Sequence, residues 1–344
     1  MKILNAGSEA IMISKKIRVF INGFGRIGRS AARIMLEDSH FKIVGINDLY
    51  SYEQMAYLLK YDSVYGALQQ DIYMKEEKLF IDGEEVKLFC EQDLQNLDIN
   101  ALNVDVVLQC SGMFLTIESN QPFIMNGAKK VIISTPVTDE TPTYIYGVNH
   151  DNYKGEMIIS NSSCSANAIV PIFKIIDKYF GIEGAMMSMY HSYTSYQNLL
   201  DGKHYSQDIR RTRAAAQNII PLMSSAAEAT ACFFPKLKEK LYAKSIRIPI
   251  PATTLYDLSI KIRGKYTKEE VNRQIELEIG TFYKNILNTA KTQNVSSDYI
   301  QNPHSAVIDL PLTIVSGNLL KILAWQDNEY GYAKRLVDMV KVIA

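Results

Sequence analysis

Apolar residues run along this chain in short bursts separated by amphipathic stretches, and the first unit is the clearest. Residues 16–21 predict an apolar strand, residues 22–28 (NGFGRIG) a tight turn, the pattern through Ala32 and Met35-Leu36 a helix, and residues 41–46 a second strand ending at Asn47-Asp48. Further strands are expected at 104–108 and 130–134, a hairpin at 79–82 and 85–89 around Gly83, and a loop at 138–142. Strands alternating with helices predict a mostly parallel sheet. Residues 157–159 then read as a short buried strand. Ile169, Ile172, Phe173, Ile176 and Phe180 follow at the spacing of one helix face, with Pro171 expected at its first turn or at a bend. A second strand-rich region covers 185–191, 245–250, 255–262, 305–309 and 319–325, around an arginine-bearing segment, 197–217, with no clear period. Residues 332–343 close the chain as a helix with Leu336, Met339, Val340 and Ile343 on one face. At 344 residues the chain exceeds the size of a single core, so two domains are expected.

Candidate chemistry sits at two of these junctions. Gly23, Gly25 and Gly28 stand at the spacing of a dinucleotide fingerprint between a strand and a helix: one allows the turn, one lets backbone approach a pyrophosphate, one lets helix pack on strand. Asp48, at the end of the next strand, stands where a ribose diol would be held. Cys164 falls among small hydroxyl residues at a helix N-terminus, where free N–H groups and the helix dipole favour a thiolate; its other reading is a small, inert, buried cysteine. His191 ends an apolar strand and is either a base or a structural hydrogen-bonder.

Composition narrows the partners. Lys plus Arg and Asp plus Glu both number 37, so no global field would gather nucleic acid or an anionic membrane, and phosphate chemistry must rely on local arginines. Four scattered cysteines, Cys90, Cys110, Cys164 and Cys232, give neither a metal-ligand spacing nor a disulfide framework, as in a reducing compartment. No apolar run approaches the length of a membrane helix, and the first 15 or so residues lack the pattern of a signal peptide, so a cytoplasmic location is expected. That leader is a disordered arm, a packing arm, or the product of a start codon upstream of Met12.

INGFGRIGR, SNSSCSAN, HSYT, DIRRTRAAAQNIIP, SIRIP and WQDNEYGY occur in that order, and together the chain from Lys16 onward closely resembles glyceraldehyde-3-phosphate dehydrogenases. The resemblance implies an α/β protein: a Rossmann-type, doubly wound parallel-sheet domain (residues 1–163, of which 1–15 are an arm), an α+β catalytic domain with a largely antiparallel sheet (164–327), and a C-terminal helix returning to the first domain (328–344). It implies NAD as cofactor, a phosphorylated aldehyde and inorganic phosphate as substrates, and a homotetramer, without metal. Cys164 would form a thiohemiacetal and then a thioester, and His191 would keep the thiol ionised and take the proton. NAD would lie on Gly23, Gly25, Arg26, Ile27, Gly28, Asp48, Ser111, Gly112, Ser134 and Asn328; the alternative for Asn328 is a helix N-cap. The phosphates would lie against Ser163, Ser165, Thr194, Arg211, Ser224, Ser225 and Arg247; any of the arginines alone could equally be a solvated charge.

The chain also departs from the pattern of these enzymes. Ser165, Ala166 and Ala168 stand where two threonines and a second cysteine are usual, Ser195-Tyr196 where Asn-Asp is common, Ser224-Ser225 where Thr-Gly is common, and Gln92 where a basic residue lies near the adenine. The pocket is therefore redrawn, and two rivals remain: an erythrose-4-phosphate dehydrogenase that hydrolyses its thioester, and a catalytically silent NAD-binding interaction protein.

Overall fold

The computed structural model describes residues 15–344; the expected N-terminal arm lies outside the described residues. In chain order come β1 (Ile17–Asn22), α1 (Arg26–Leu36), β2 (Phe41–Asn47), α2 (Tyr52–Lys60), the ribbon β3 (Tyr61–Asp62) and β4 (Gly66–Ala67), and the meander β5 (Ile72–Lys75), β6 (Lys78–Ile81) and β7 (Glu84–Phe89). β8 (Val106–Gln109), α3 (Ile117–Met125), β9 (Lys130–Ile133) and β10 (Ile158–Ser160) complete the first half. Eight strands form one sheet in the order β10-β9-β8-β1-β2-β7-β6-β5. Pairing from β10 to β7 is parallel, and β6 and β5 add an antiparallel margin. Because β1 has β2 on one side and β8 on the other, the chain reverses direction across the sheet at β1, and a crevice opens at the carboxyl ends of these strands.

The second half runs α4 (Cys164–Phe180), β11 (Ile182–Ser192), β12 (Ile220–Met223), α5 (Ala226–Ala231), β13 (Leu241–Ile248), β14 (Thr254–Ile262), α6 (Lys268–Thr281), β15 (Leu287–Ala290), β16 (Ala306–Asp309), β17 (Ile314–Ser316), β18 (Leu319–Gln326) and α7 (Tyr330–Ile343). Its sheet has the order β12-β13-β11-β14-β18-β16-β15, with β17 on β18. It is largely antiparallel, β11 with β13 and β15 with β16 being the parallel pairs. Ile169, Ile172, Phe173 and Ile176 of α4 are fully buried in one core with Leu258, Ile260, Ile322 and Ala324 of the sheet. Leu336, Val337, Met339 and Val340 of α7 pack instead with Val19, Ile21 and Ala32 in the core of the first half. The last helix therefore ties the two halves together at the crevice.

Several expectations shift. Pro171 lies inside α4 rather than at its first turn, so the Asn167 carbonyl loses its usual donor. Helix α6 was absent from the expected elements, although the box between Thr267 and Glu270 caps it and Val271, Ile275 and Ile279 line its buried side; charged neighbours hide that thin stripe. Residues 79–89 form the expected hairpin, but β7 also extends the parallel sheet beside β2. Segment 197–217 holds a short 3₁₀ turn, Ile209–Thr212, and otherwise irregular chain.

The glycine turn makes a stability test. A Cβ on Gly28 would sit 2.2 Å from the Gly23 carbonyl oxygen, whereas one on Gly25 would meet nothing within 4 Å. Gly28→Ala should lower the unfolding free energy by about 2 kcal/mol or more, while Gly25→Ala should stay within about 0.5 kcal/mol of the parent. Urea titration of both variants checks this, and equal losses would contradict the assigned turn.

Candidate active site

A cleft of about 1230 Å³ runs from the glycine turn to the start of α4 and the end of β11. At one end Gly23, at φ +90°, passes beneath Ser111, where a Cβ would lie 2.3 Å from the Ser111 nitrogen. Gly23 N–H donates to Asn47 O at 2.8 Å, and a ladder of amides, Asn47 to Asn22 (2.7 Å) and Asn22 to Gln109 (3.0 Å), ties β2, β1 and β8 together below the turn. Asp48 buckles the turn from above: its carboxylate accepts from Phe24 N–H and, at 2.6 Å, from Leu49 N–H. Helix α1 starts at Gly25 without a side-chain cap, so its first N–H groups have no side-chain acceptor of their own. Anion chemistry fits that end.

At the other end Cys164 is the first residue of α4, and Ser163 Oγ caps the helix by accepting from Ala166 N–H at 3.1 Å. The approach bends sharply at Ser162, whose φ of +58° is held by Ser162 N–H donating to Ser160 Oγ (3.0 Å) and Tyr332 Oη donating to Ser162 O (2.9 Å). Burial pushes the Cys164 thiol up; Ser165 and the charge of Arg247 pull the other way. Sγ lies 4.0 Å from Ser165 Oγ. Behind it, Gln326 Nε2 donates to Cys164 O at 3.3 Å, and Gln326 Oε1 accepts from the fully buried Tyr256 hydroxyl at 2.7 Å.

Parallel pairing of β11 with β13 sets His191 beside Arg247. His191 is buried, and its Nδ1 lies 2.7 Å from Ser192 O and 2.6 Å from Arg247 Nη1, which also donates to Ser192 O at 3.1 Å. Burial first, then the neighbouring guanidinium, push the imidazole down to about 3, so the ring is neutral at neutral pH. Burial lowers Arg247 as well, to about 10, and its Nε has no hydrogen-bond partner among the described residues. With the proton on Nδ1 the ring donates to Ser192 O and keeps a lone pair on Nε2; with the proton on Nε2 it accepts from Arg247. Arg247 therefore decides which nitrogen is basic.

Gly23, Gly25, Arg26, Ile27, Asp48, Ser111, Ser134, Ser163, Cys164, His191, Thr194, Arg247 and Asn328 all line this cleft, as does Gln92. Gly28 packs beneath the turn. Gly112, Ser165, Arg211, Ser224 and Ser225 lie outside the lining. Ser224 Oγ accepts from Ala226 N–H at 3.2 Å at the start of α5, and Ser225 has an ordinary φ of −78°. Three of these groups have neighbours that local sequence does not show. His191 makes no hydrogen bond to Cys164, and the positive charge that favours the thiolate belongs to Arg247. Arg26 lines the cleft with its guanidinium tied to Asp62 and to Glu329, Nε to Oε2 at 2.8 Å. Asn328 does not cap α7: its Oδ1 accepts from Ser192 Oγ at 3.0 Å. Asp327 Oδ1 accepts from Glu329 N–H (3.0 Å), Tyr330 N–H (2.9 Å) and Tyr65 Oη (2.9 Å). Asp327, Gln326, Tyr332 and Tyr256 went unnoticed in the sequence. The first three lie within or beside WQDNEYGY, where an aspartate just before a helical run is a capping signal; Tyr256 carries no local signal. Among the described residues no three His, Cys, Asp or Glu side chains group as a metal would need, and no helix is long and apolar enough to cross a membrane.

Two family models match: the NAD binding domain of glyceraldehyde 3-phosphate dehydrogenase over residues 17–117 and its C-terminal domain over residues 163–328. The chain is 38% identical over 332 residues to glyceraldehyde-3-phosphate dehydrogenase 2 of Bacillus subtilis, covering 96% of this chain and 97% of the relative. It is 40% identical to the glyceraldehyde-3-phosphate dehydrogenase of Helicobacter pylori (94% and 98% covered) and 39% identical to that of Geobacillus stearothermophilus (95% and 98%).

The depressed His191 predicts acid sensitivity. Its folded value of about 3 lies below the ordinary 6.5, so as pH falls through 6.5 the unfolded chain takes the proton first, and stability present above pH 6.5 is lost progressively toward pH 3. By pH 5 the loss is about 2 kcal/mol from this group. Urea titrations of the wild type and His191→Asn at pH 7.5 and 5 should show the variant losing less; equal losses would show that the ring titrates normally.

Proposed function

Since the chain belongs to the glyceraldehyde 3-phosphate dehydrogenase family, we propose that it oxidises glyceraldehyde 3-phosphate with NAD and inorganic phosphate to 1,3-bisphosphoglycerate in glycolysis and gluconeogenesis. The observation that carries this function is the gathering of Cys164, neutral His191 and Arg247 at one end of a single cleft whose other end is the glycine turn. The open space at Gly25 and the uncapped start of α1 fit a pyrophosphate, and the Asp48 carboxylate fits a ribose diol and disfavours a further phosphate there. NAD, when bound, supplies the hydride acceptor.

The chain's own residues do the rest. Cys164 Sγ bonds to the aldehyde carbon, the carbonyl π pair moves to oxygen, and the helix N-terminus together with Arg247 favours the negative charge. The proton lost from Sγ passes through His191 to that oxygen, giving the thiohemiacetal hydroxyl; His191 Nε2 takes it back as hydride would leave the carbon for the cofactor, and the C=O bond re-forms as a thioester on Cys164. A phosphate oxygen then attacks the thioester carbon, the C–S bond breaks, and Sγ leaves as the thiolate. An anion that engages Arg247 draws it from His191 Nδ1, which then keeps its proton for Ser192 O and frees Nε2 as the base. Thr194 and Arg247 would hold one phosphate within the cleft; Arg211, Ser224, Ser225, Ser163 and Ser165 belong to the surrounding anion-binding walls. Ser111, Gly112, Ser134, Arg26, Ile27 and Asn328 would frame the cofactor. In this scheme residues 1–163 bind NAD, 164–327 carry the chemistry, and 328–344 return to the first domain. The protein would work in the cytoplasm as a homotetramer; Met186, Ile219, Met223 and Tyr242, all more than half exposed on or beside the second sheet, support association through that face.

Steady-state NADH formation tests the function. Glyceraldehyde 3-phosphate should give the higher kcat/KM, phosphate should accelerate turnover, and Cys164→Ala should abolish it while leaving NAD binding intact. A rate indifferent to phosphate, with erythrose 4-phosphate the better substrate, would replace this function with its hydrolytic rival.

A further inference from the structure

Three arginines sit close together in segment 197–217, and two are tied to carboxylates: Arg210 to Asp208 at 2.7 Å and Arg213 to Asp201 at 2.8 Å. Arg211, between them, has no carboxylate partner among the described residues. Its guanidinium carbon stands instead 5.4 Å from the centroid of the Tyr196 ring, within cation–π range. That ring is itself held. His204 meets it edge to face, with centroids 4.6 Å apart and planes at 87°. The imidazole is fixed at both nitrogens, Nε2 donating to Tyr196 O at 2.8 Å and Nδ1 accepting from Ser206 N–H at 2.9 Å.

Tyr196 is also coupled to the cleft through its own backbone. It shares a turn with Thr194, where Gln197 Oε1 accepts from Thr194 N–H (2.8 Å) and Oγ1 (2.9 Å) and Gln197 N–H donates back to Thr194 O (2.9 Å). Thr194 lines the cleft with Arg247, and Arg211 is near enough to help lower the Arg247 pKa. Arg247, whose partners are His191 and Ser192, likewise has no carboxylate among the described residues. A carboxylate at position 196 would neutralise Arg211 and compete with a bound anion. A phenol ring attracts the cation without satisfying its N–H donors, which remain available to phosphate oxygens.

We propose that Tyr196 is a positioning residue that holds Arg211 for a phosphate dianion bound between Arg211, Arg247 and Thr194, setting affinity for that phosphate without entering the chemistry. This rests on the assignment of Arg211 and Arg247 as phosphate-binding groups. The dianion is either the phosphate of the aldehyde or inorganic phosphate, and the two are separable by varying each at saturation of the other.

Steady-state kinetics of Tyr196→Ala, Tyr196→Phe, Arg211→Ala and the Tyr196→Ala/Arg211→Ala double variant test the proposal, with thermal unfolding as a check on folding. Tyr196→Ala should raise KM for one of the two phosphates about two- to fivefold at unchanged kcat, the size of a half-exposed cation–π contact. Tyr196→Phe, which keeps the ring, should restore wild-type KM, and Tyr196→Ala should add nothing once Arg211 is gone. If Arg211→Ala raises a KM but Tyr196→Ala does not, or if Phe behaves as Ala does, the proposal falls and the phosphate assignment stands. If Arg211→Ala moves neither KM, the assignment of Arg211 falls and takes the proposal with it.

Discussion

A guanidinium with no carboxylate partner among the described residues governs this cleft. Arg247 is desolvated enough for its pKa to fall to about 10, yet the groups it touches are a carbonyl and an imidazole, neither of which carries a full negative charge. A cation in that position lowers its free energy by gaining an anion: its charge favours the ionised form of Cys164 against burial, and the proposed phosphate would be a second such anion. Burial first, and then the same charge, keep His191 neutral. The proposed nucleophile, base and anion site thus all lie in the field of one under-compensated charge.

The fold supplies that charge its place. Parallel pairing of β11 and β13 fixes His191 opposite Arg247. The bend at Ser162, anchored by Tyr332 of α7, delivers Cys164 at the start of α4. The chain from Gln326 to Tyr332 does more than join the last strand to the last helix. Gln326 reaches the backbone of Cys164, Asn328 reaches Ser192 behind His191, Asp327 caps α7 with help from Tyr65, and Glu329 pairs with Arg26 beyond the glycine turn. Elements from both halves of the chain therefore meet in one short segment, and displacement of α7 would disturb both ends of the cleft.

Much of this was legible in the sequence because it was written locally. The Gly23, Gly25 and Gly28 spacing, the strand before it, the helix after it and Asp48 at the end of the next strand are short-range patterns tied to backbone geometry. Cys164 at a helix start was legible for the same reason. What escaped depends on side chains meeting across the fold. Nothing near residue 26 says that its guanidinium will find Glu329, and nothing near residue 211 says that its neighbour will be an aromatic ring from position 196. The interior Pro171 escaped because burial of the flanking Ile169, Ile172 and Phe173 outweighs one lost hydrogen bond.

The most direct test of the role given to Arg247 is the pH dependence of Cys164 alkylation by iodoacetamide in the ligand-free protein, compared between wild type and Arg247→Met. If the guanidinium is the charge that favours the thiolate, the variant's profile moves to higher pH by about one unit, the scale of a single nearby charge, and alkylation near neutral pH slows about tenfold. Superimposable profiles would show that the thiol does not feel Arg247, and the account of the cleft as the surroundings of one uncompensated cation would be wrong.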